Sequence, residues 1–284
     1  MKKMIITTII TFMLTTVFVL GFLCFKIVSL QRQINSLSAS MAEAKLEAEE
    51  EAIASDGELD DLYAVDNMDN LAEAGDIPRV YLTFDDGPSS NTDEILDILD
   101  DYNVKASFFV IGKDVEEYGD DYKRIVEEGH TIGMHSFSHN YSNIYDSEEA
   151  FIADYNKIHS LIHEVCGIDC KYYRFPGGSS NKVSNSSMSV FINYLNSQNT
   201  TYFDWNVASG DATSQAFTAD ELVDNVMNDV VKYKTSVVLL HDSSNKETTV
   251  EALPQLIESL QASGAMILPI TDETTVIQHV SVVQ

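Results

Sequence analysis

Val80-Tyr81-Leu82-Thr83-Phe84-Asp85-Asp86-Gly87-Pro88-Ser89 joins an apolar, strand-like run to two adjacent carboxylates and a Gly-Pro turn. Adjacent acids at a strand end are a poor way to build a core, because a buried carboxylate demands a partner. They suit a site that holds one acid on a metal ion and keeps the second beside it.

From Pro78 onward, short apolar runs alternate with longer amphipathic ones. The pattern predicts strands over 80–84, 106–111, 131–134, 172–175, 201–205, 236–241 and 265–270. Helices are expected between them over 92–102, 115–128, 147–165, 184–197, 219–233 and 247–263. Thr92 and Thr218 are expected N-caps, and Gly129 and Gly167 expected C-terminal stops. Such alternation implies an α/β fold, a parallel sheet covered by helices. Seven strands suit either an open doubly wound sheet or an incomplete, distorted barrel. Five strand ends carry polar residues: Asp85-Asp86, His135 through His139, Arg174, Asp204-Trp205 with Asp211, and His241-Asp242. Chemistry gathered at several strand ends is what a barrel mouth predicts.

His135 and His139 are four apart, a spacing that one helical turn would put on a common face. With a strand-end carboxylate they make a two-histidine, one-carboxylate set with open positions, suited to zinc, iron or another divalent metal. One of Asp85 and Asp86 is enough for that set, which leaves the other for proton transfer. His130 reads as a surface or capping residue, His159 and His163 as helix-surface residues, and His279 as part of the tail. Cys166 and Cys170 flank three residues and could bridge if a turn brings them close; the alternative is two separate thiols.

Together these motifs occur in the order and approximate spacing of the polysaccharide deacetylase family, the NodB-homology domain of carbohydrate esterase family four. The chain resembles that family over about residues 78–272. The resemblance implies a distorted (β/α) barrel of seven or eight parallel strands. It also implies removal of acetyl groups from sugar polymers with a divalent metal, most commonly zinc. Carried onto this sequence, it makes Asp86, His135 and His139 the metal ligands and Asp85 the general base. His241 becomes the general acid, held by Asp211, with Arg174 orienting Asp85. Leu239 and Trp205 would wall the acetate pocket, and the Gly177 N–H would steady the oxyanion. Gly177 departs from the pattern, since many members place an aromatic residue there. Trp205, Phe137, Tyr141 and Tyr173 are candidate sugar-stacking residues.

The flanking sequence sets the expected location. Residues 4–25 carry no charge and are long enough to span a bilayer as a helix. Lys2 and Lys3 place residues 1–3 in the cytoplasm by the positive-inside rule. A long apolar run without a small-x-small site reads as an uncleaved signal anchor rather than a signal peptide. Residues 26–77 read as a helical, then acidic and largely disordered stalk, with 13 acids against Lys45 over 33–78. The a/d spacing within 27–44 could support weak self-association but also fits a plain extension of the span. Residues 78–284 form the expected catalytic domain, outside the cell. Net charge is −28, and residues 1–32 contribute +4, so the remainder carries −32. That surface argues against nucleic acid, whose binding needs clustered Lys and Arg.

The expected function is therefore a single-pass membrane deacetylase acting on an extracellular N-acetylated glycan. Peptidoglycan N-acetylglucosamine is the first polymer a tethered enzyme would meet. Chitooligosaccharide or acetylxylan are alternatives within the same chemistry, and a non-catalytic glycan-binding protein is an alternative of another class. A glycoside hydrolase using Asp85 and Asp211 would leave the two histidines unexplained.

Overall fold

The computed structural model of the protein describes residues 77–282 with the exceptions of 185 and 214. The expected span over 4–25, the 27–44 seam and the stalk up to residue 76 lie outside the described residues. Among the described residues, no helix is long and apolar enough to cross a membrane.

Strand β1 (Arg79–Asp85) is the axis of the fold. All but its first residue are buried, as expected of a parallel strand covered on both faces. Around it lie β2 (Ser107–Ile111), β3 (Thr131–Ser136), β4 (Tyr172–Tyr173), β5 (Thr201–Tyr202), β6 (Val207–Ala208), β7 (Thr235–His241) and β8 (Met266–Ile267). All pairings are parallel, in the order β5-β4-β3-β2-β1-β7-β6. β8 pairs with the start of β1 at Arg79 and Val80, whereas β2 pairs with its end from Thr83 to Asp85. Two strands thus share one edge of β1. The result is a curled, incomplete barrel, and no pairing joins β5 to β6 among the described residues. The C-terminal segment braces the β5 side, where the Asp204 N–H donates to the Ile277 carbonyl and Tyr202 Oη to that of Val280.

Among the described residues there are seven helices: α1 (Thr92–Asp101), α2 (Val115–Glu127), α3 (Tyr141–Ile144), α4 (Glu148–Cys166), α5 (Met188–Ser197), α6 (Ala219–Val230) and α7 (Glu247–Ala262). The longer ones bury their apolar stripes against the outer face of the sheet, where Val80, Leu82 and Phe84 of β1 meet Ile95, Leu99 and Leu256. The alternate residue Tyr81 faces inward with Phe109, Tyr172, Phe203, Val237 and Ile270. Period-two alternation then directs Thr83 and Asp85 to the inside as well. That parity brings an acid into the barrel mouth.

The elements largely follow the sequence pattern. β4, β5 and β8 stop two or three residues early, β4 because Pro176 offers no N–H to a ladder. β6 and the single-turn helix α3 are too short to carry a period. α5 starts at Met188 rather than 184, because Ser187 caps it through the Ser189 N–H. Thr218 caps α6 as expected, in a reciprocal box with Glu221. Gly129 and Gly167, both at positive φ, end α2 and α4. Thr92 is not an N-cap. Asn91 holds that position, and the Thr92 hydroxyl donates instead to Asp242 Oδ2 at 2.6 Å.

Two further expectations are corrected or settled. His130 is buried, not a surface residue; its Nδ1 accepts from the Ala106 N–H at 3.1 Å, and burial pushes its pKa down to about 4. Cys166 and Cys170 are free thiols whose Sγ atoms point to the separate carbonyls of Tyr122 and Ile132. Burial raises them to about 11 and about 12, which makes them poor nucleophiles.

Candidate active site

The site is assembled at the C-terminal ends of the strands, and each side chain is held by a backbone feature. Asp85 is the last residue of β1 and lies in register with Phe109 and His241 on the flanking strands. Asp86 follows at φ +75°, a left-handed turn rare for a residue with a β-carbon. The turn redirects its carboxylate away from that of its neighbour. The Asp86 N–H still donates to the Phe109 carbonyl at 3.2 Å, anchoring the turn to β2.

His135 is carried by β3, and His139 by the loop after it at φ +45°. Their Nε2 atoms stand 3.6 and 3.0 Å from Asp86 Oδ1. The His135 Nδ1 is 2.8 Å from the Arg174 carbonyl, an acceptor, so Nδ1 carries the proton and Nε2 presents its lone pair to the cluster. Burial works against charge on Asp86. The imidazoles of His135, His139 and His241 and the Ser243 hydroxyl outweigh it and hold the carboxyl below its usual range. Burial, reinforced by the neighbouring His135, pushes His139 down, toward the neutral form that can coordinate.

A divalent metal fits these residues. Asp86 Oδ1 is buried and has no hydrogen-bond partner, a costly condition unless something else satisfies it. One ligand atom from each of Asp86, His135 and His139 lies within 4.8 Å of the others, and this trio is the one such group found among the described residues. Two imidazoles and a carboxylate are a donor set suited to zinc and other borderline divalent ions.

Asp85 is fully enclosed and takes a different partner. Arg174 Nη1 donates to its Oδ1 at 2.8 Å and to Thr83 Oγ1 at 2.7 Å. Nε and Nη2 donate to the Phe203 and Asp204 carbonyls, so the guanidinium is satisfied although its exposure is 0%. It also lies over the Phe109 ring, 4.2 Å from the centroid. Arg174 inside the barrel thus holds Asp85 in place by a charge-assisted hydrogen bond.

At the end of the adjacent strand β7, His241 Nδ1 is 2.8 Å from Asp211 Oδ1, and the His241 N–H donates to Asp211 Oδ2 at 2.8 Å. Thr249 Oγ1 donates to the same oxygen. Burial opposes the imidazolium, but the Asp211 bond and charge, with Asp85 and Asp86 behind them, raise the His241 pKa above the usual value. Asp211 is lowered in turn, its burial being outweighed by His241 and Thr249. Asp85, Asp86, His135, His139, Gly177, Trp205, Leu239 and His241 all line one cavity of about 460 Å³. Arg174 and Asp211 stand behind it as the partners of Asp85 and His241.

Of the aromatic candidates, Trp205 and Tyr141 line this cavity. Tyr173 is fully buried, and Phe137 turns toward a separate groove with Lys157. Ser243, Asn245 and Lys246 also line the cavity and carry no recognisable sequence signal. His159 pairs with Asp169 and stays apart from the site.

Three buried aspartates outside the ligand set hold the loops. Asp154 of α4 accepts from Ser136 Oγ and from the N–H groups of Phe137 and Ser138, fixing the loop between the two histidines. Asp204 accepts from the Ser179 N–H and hydroxyl and from the His279 N–H. Asp242 accepts from Ser89 Oγ and Thr92 Oγ1, while its own N–H donates to the Asp85 carbonyl at 2.7 Å. Asp154 is signalled only by an acid on the apolar stripe of an amphipathic helix. Asp204 and Asp242 stand beside motif residues but have no legible job until the loops are folded.

Fold and site define an α/β barrel protein with a two-histidine, one-carboxylate cradle between an enclosed acid and a histidine–aspartate pair. The polysaccharide deacetylase family model matches residues 72–191. A peptidoglycan-N-acetylglucosamine deacetylase of Bacillus cereus is 32% identical over 196 residues, covering 65% of this chain and 66% of that protein. A second B. cereus protein of the same description is 31% identical over 207 residues, covering 72% of this chain and 68% of that one. The catalytic domain of a peptidoglycan N-acetylglucosamine deacetylase from Eubacterium rectale is 41% identical with a TM-score of 0.68. That match covers 72% of this chain and 93% of the E. rectale domain. The chain belongs to the polysaccharide deacetylase family. It spans just under two thirds of the length of the first curated relatives it matches.

Proposed function

We propose that this protein is a metal-dependent hydrolase that removes N-acetyl groups from an extracellular glycan, with peptidoglycan N-acetylglucosamine as substrate. The observation that carries the reading is the placement of Asp85 and His241 on one cavity with the orphaned Asp86 Oδ1 and the two imidazoles. The named relatives, two deacetylases of B. cereus and one of E. rectale, support the choice of polymer. The apolar, uncharged stretch over residues 4–25 supports a membrane-tethered protein whose catalytic part meets the cell wall.

Asp86, His135 and His139 would hold the metal, most simply zinc, which when bound lowers the pKa of water and polarises a carbonyl. Asp85, oriented by Arg174, takes the proton from the water that attacks the acetyl carbon. The Gly177 N–H is the donor available to the developing oxyanion. His241, kept protonated by Asp211, gives its proton to the sugar nitrogen as the C–N bond breaks. Acetate and a free amine leave, and the proton balance closes between Asp85 and His241. Trp205 and Leu239 wall the space for the acetyl methyl group.

The test is acetate release by the full-length protein supplied with zinc, on peptidoglycan and on N-acetylglucosamine oligomers. Release abolished by a chelator and by Asp85→Asn is the expected result. Binding without release would mark a glycan-binding protein, and new reducing ends without acetate would mark a glycoside hydrolase.

A further inference from the structure

The Gly177-Gly178 turn lies between two aromatic rings. Both glycines have positive φ, +75° and +78°. A β-carbon on Gly177 would stand 3.1 Å from Tyr141 Cε1 and 3.2 Å from its Oη. One on Gly178 would stand 3.1 Å from Trp205 Cη2. Each glycine yields its side-chain space to one ring, and both rings line the cavity that holds Asp85 and His241.

Tyr141 opens α3, two residues after His139, with its ring edge-on to His139 at 5.6 Å and to Tyr145 at 6.0 Å. Tyr145 spends its hydroxyl on the Pro176 carbonyl at 2.8 Å. The Tyr141 hydroxyl meets no hydrogen-bond partner among the described residues, although its ring is half-buried. A phenol so placed is a donor open to a ligand. Sugars complement such a site, since their C–H faces pack on aromatic rings and their hydroxyls accept hydrogen bonds.

We propose that Tyr141 is a substrate-contacting, specificity-determining residue that, with Trp205, forms the walls between which the acetylated sugar binds. The ring packs on the sugar and the phenol donates to a sugar hydroxyl. The inference rests on the deacetylase reading above, and its test separates the two.

Trp205 is the only tryptophan in the chain, so its fluorescence reports occupancy without turnover. The full-length zinc-loaded protein and its Tyr141→Phe and Tyr141→Ala variants are titrated with the N-acetylglucosamine tetramer. Acetate release and bound zinc are measured in parallel. Tyr141→Phe is expected to weaken binding and raise KM about threefold to tenfold, as for one lost hydrogen bond. Tyr141→Ala should weaken both by about tenfold or more, with the loss of the ring added. Zinc content and kcat should change by less than about twofold in Tyr141→Phe. Unchanged Kd and KM in both variants overturn the proposal, as does a wild-type protein that does not bind the tetramer. Loss of zinc and kcat at constant KM also overturns it, because the ring would then serve only to support His139. A wild-type protein that binds the tetramer but releases no acetate defeats the deacetylase reading. The binding ratios still decide for or against Tyr141.

Discussion

Asp85 and His241 are direct partners in the parallel register of β1 and β7, and both face the same cavity. Arg174 fixes the first and Asp211 the second. Neighbouring strands therefore place a held carboxylate and a held imidazole side by side, on the cavity that Asp86, His135 and His139 also line.

The acid should betray its partner in a pH titration. The His241 pKa is raised by Asp211, so its proton is retained above the usual imidazole range and lost as pH rises through the folded value. Activity that needs the imidazolium falls along that limb. Asp211→Asn removes the charge that raises it and should move the alkaline limb of kcat/KM to lower pH. NMR titration of His241 in the metal-free protein should show the same downward shift. An unmoved limb in the variant would separate His241 from the proton transfer.

Removing the base should leave the metal in place. Asp85→Asn keeps the shape of the side chain beside Arg174 but cannot accept the water proton. A loss of about 10²- to 10⁴-fold in kcat is expected, with zinc content at the wild-type level. His139→Ala should do the reverse at its first step, losing zinc while the far-ultraviolet circular dichroism stays native. Full zinc occupancy in that variant would dismiss the proposed ligand set.

Arg174 bears on stability as well as chemistry. Arg174→Met leaves Asp85 as a lone buried carboxylate, a loss of about 3–5 kcal/mol by analogy with broken buried pairs. Chemical denaturation measures it. The double variant Asp85→Asn, Arg174→Met should recover part of that loss, since the stranded charge is gone. A double variant as unstable as the sum of the two single ones would mean that the pair does not interact.

Asp154 is expected to act through the histidine loop it holds. Asp154→Asn replaces one of the two oxygens that accept from Ser136, Phe137 and Ser138 with a donor. Zinc affinity, read by competition with a chromophoric chelator, should fall about tenfold to a hundredfold. Wild-type affinity would reduce Asp154 to a packing residue.

Some of this protein is legible one residue at a time. The alternation of apolar runs with amphipathic stretches predicts a parallel α/β fold because burial on both faces of a strand and one face of a helix leaves a local period. Thr218 with Glu221, and Gly129 and Gly167, mark helix ends because capping is also local. The catalytic candidates are visible because carboxylates and imidazoles at strand ends have no place in a core. Local reading fails where a partner is distant. Thr92 looks like a cap, but its hydroxyl goes to Asp242, 150 residues away. His130 looks like a surface residue after a helix stop, but it is enclosed against the Ala106 N–H.

The sequence by itself determined the order of the longer elements and the carboxylates and imidazoles at the strand ends, since each follows from chemistry within a few residues; the acid and base roles came from the family resemblance. Only the tertiary structure decided which partner each side chain meets. Strand parity turns Asp85 inward onto Arg174, and a left-handed backbone turns Asp86 toward His135 and His139. Register then brings His241 beside Asp85 from across a gap of more than 150 residues, and Asp211 reaches His241 only when β6 joins β7. These are long-range pairings fixed by how the sheet curls, and no local period or propensity encodes them.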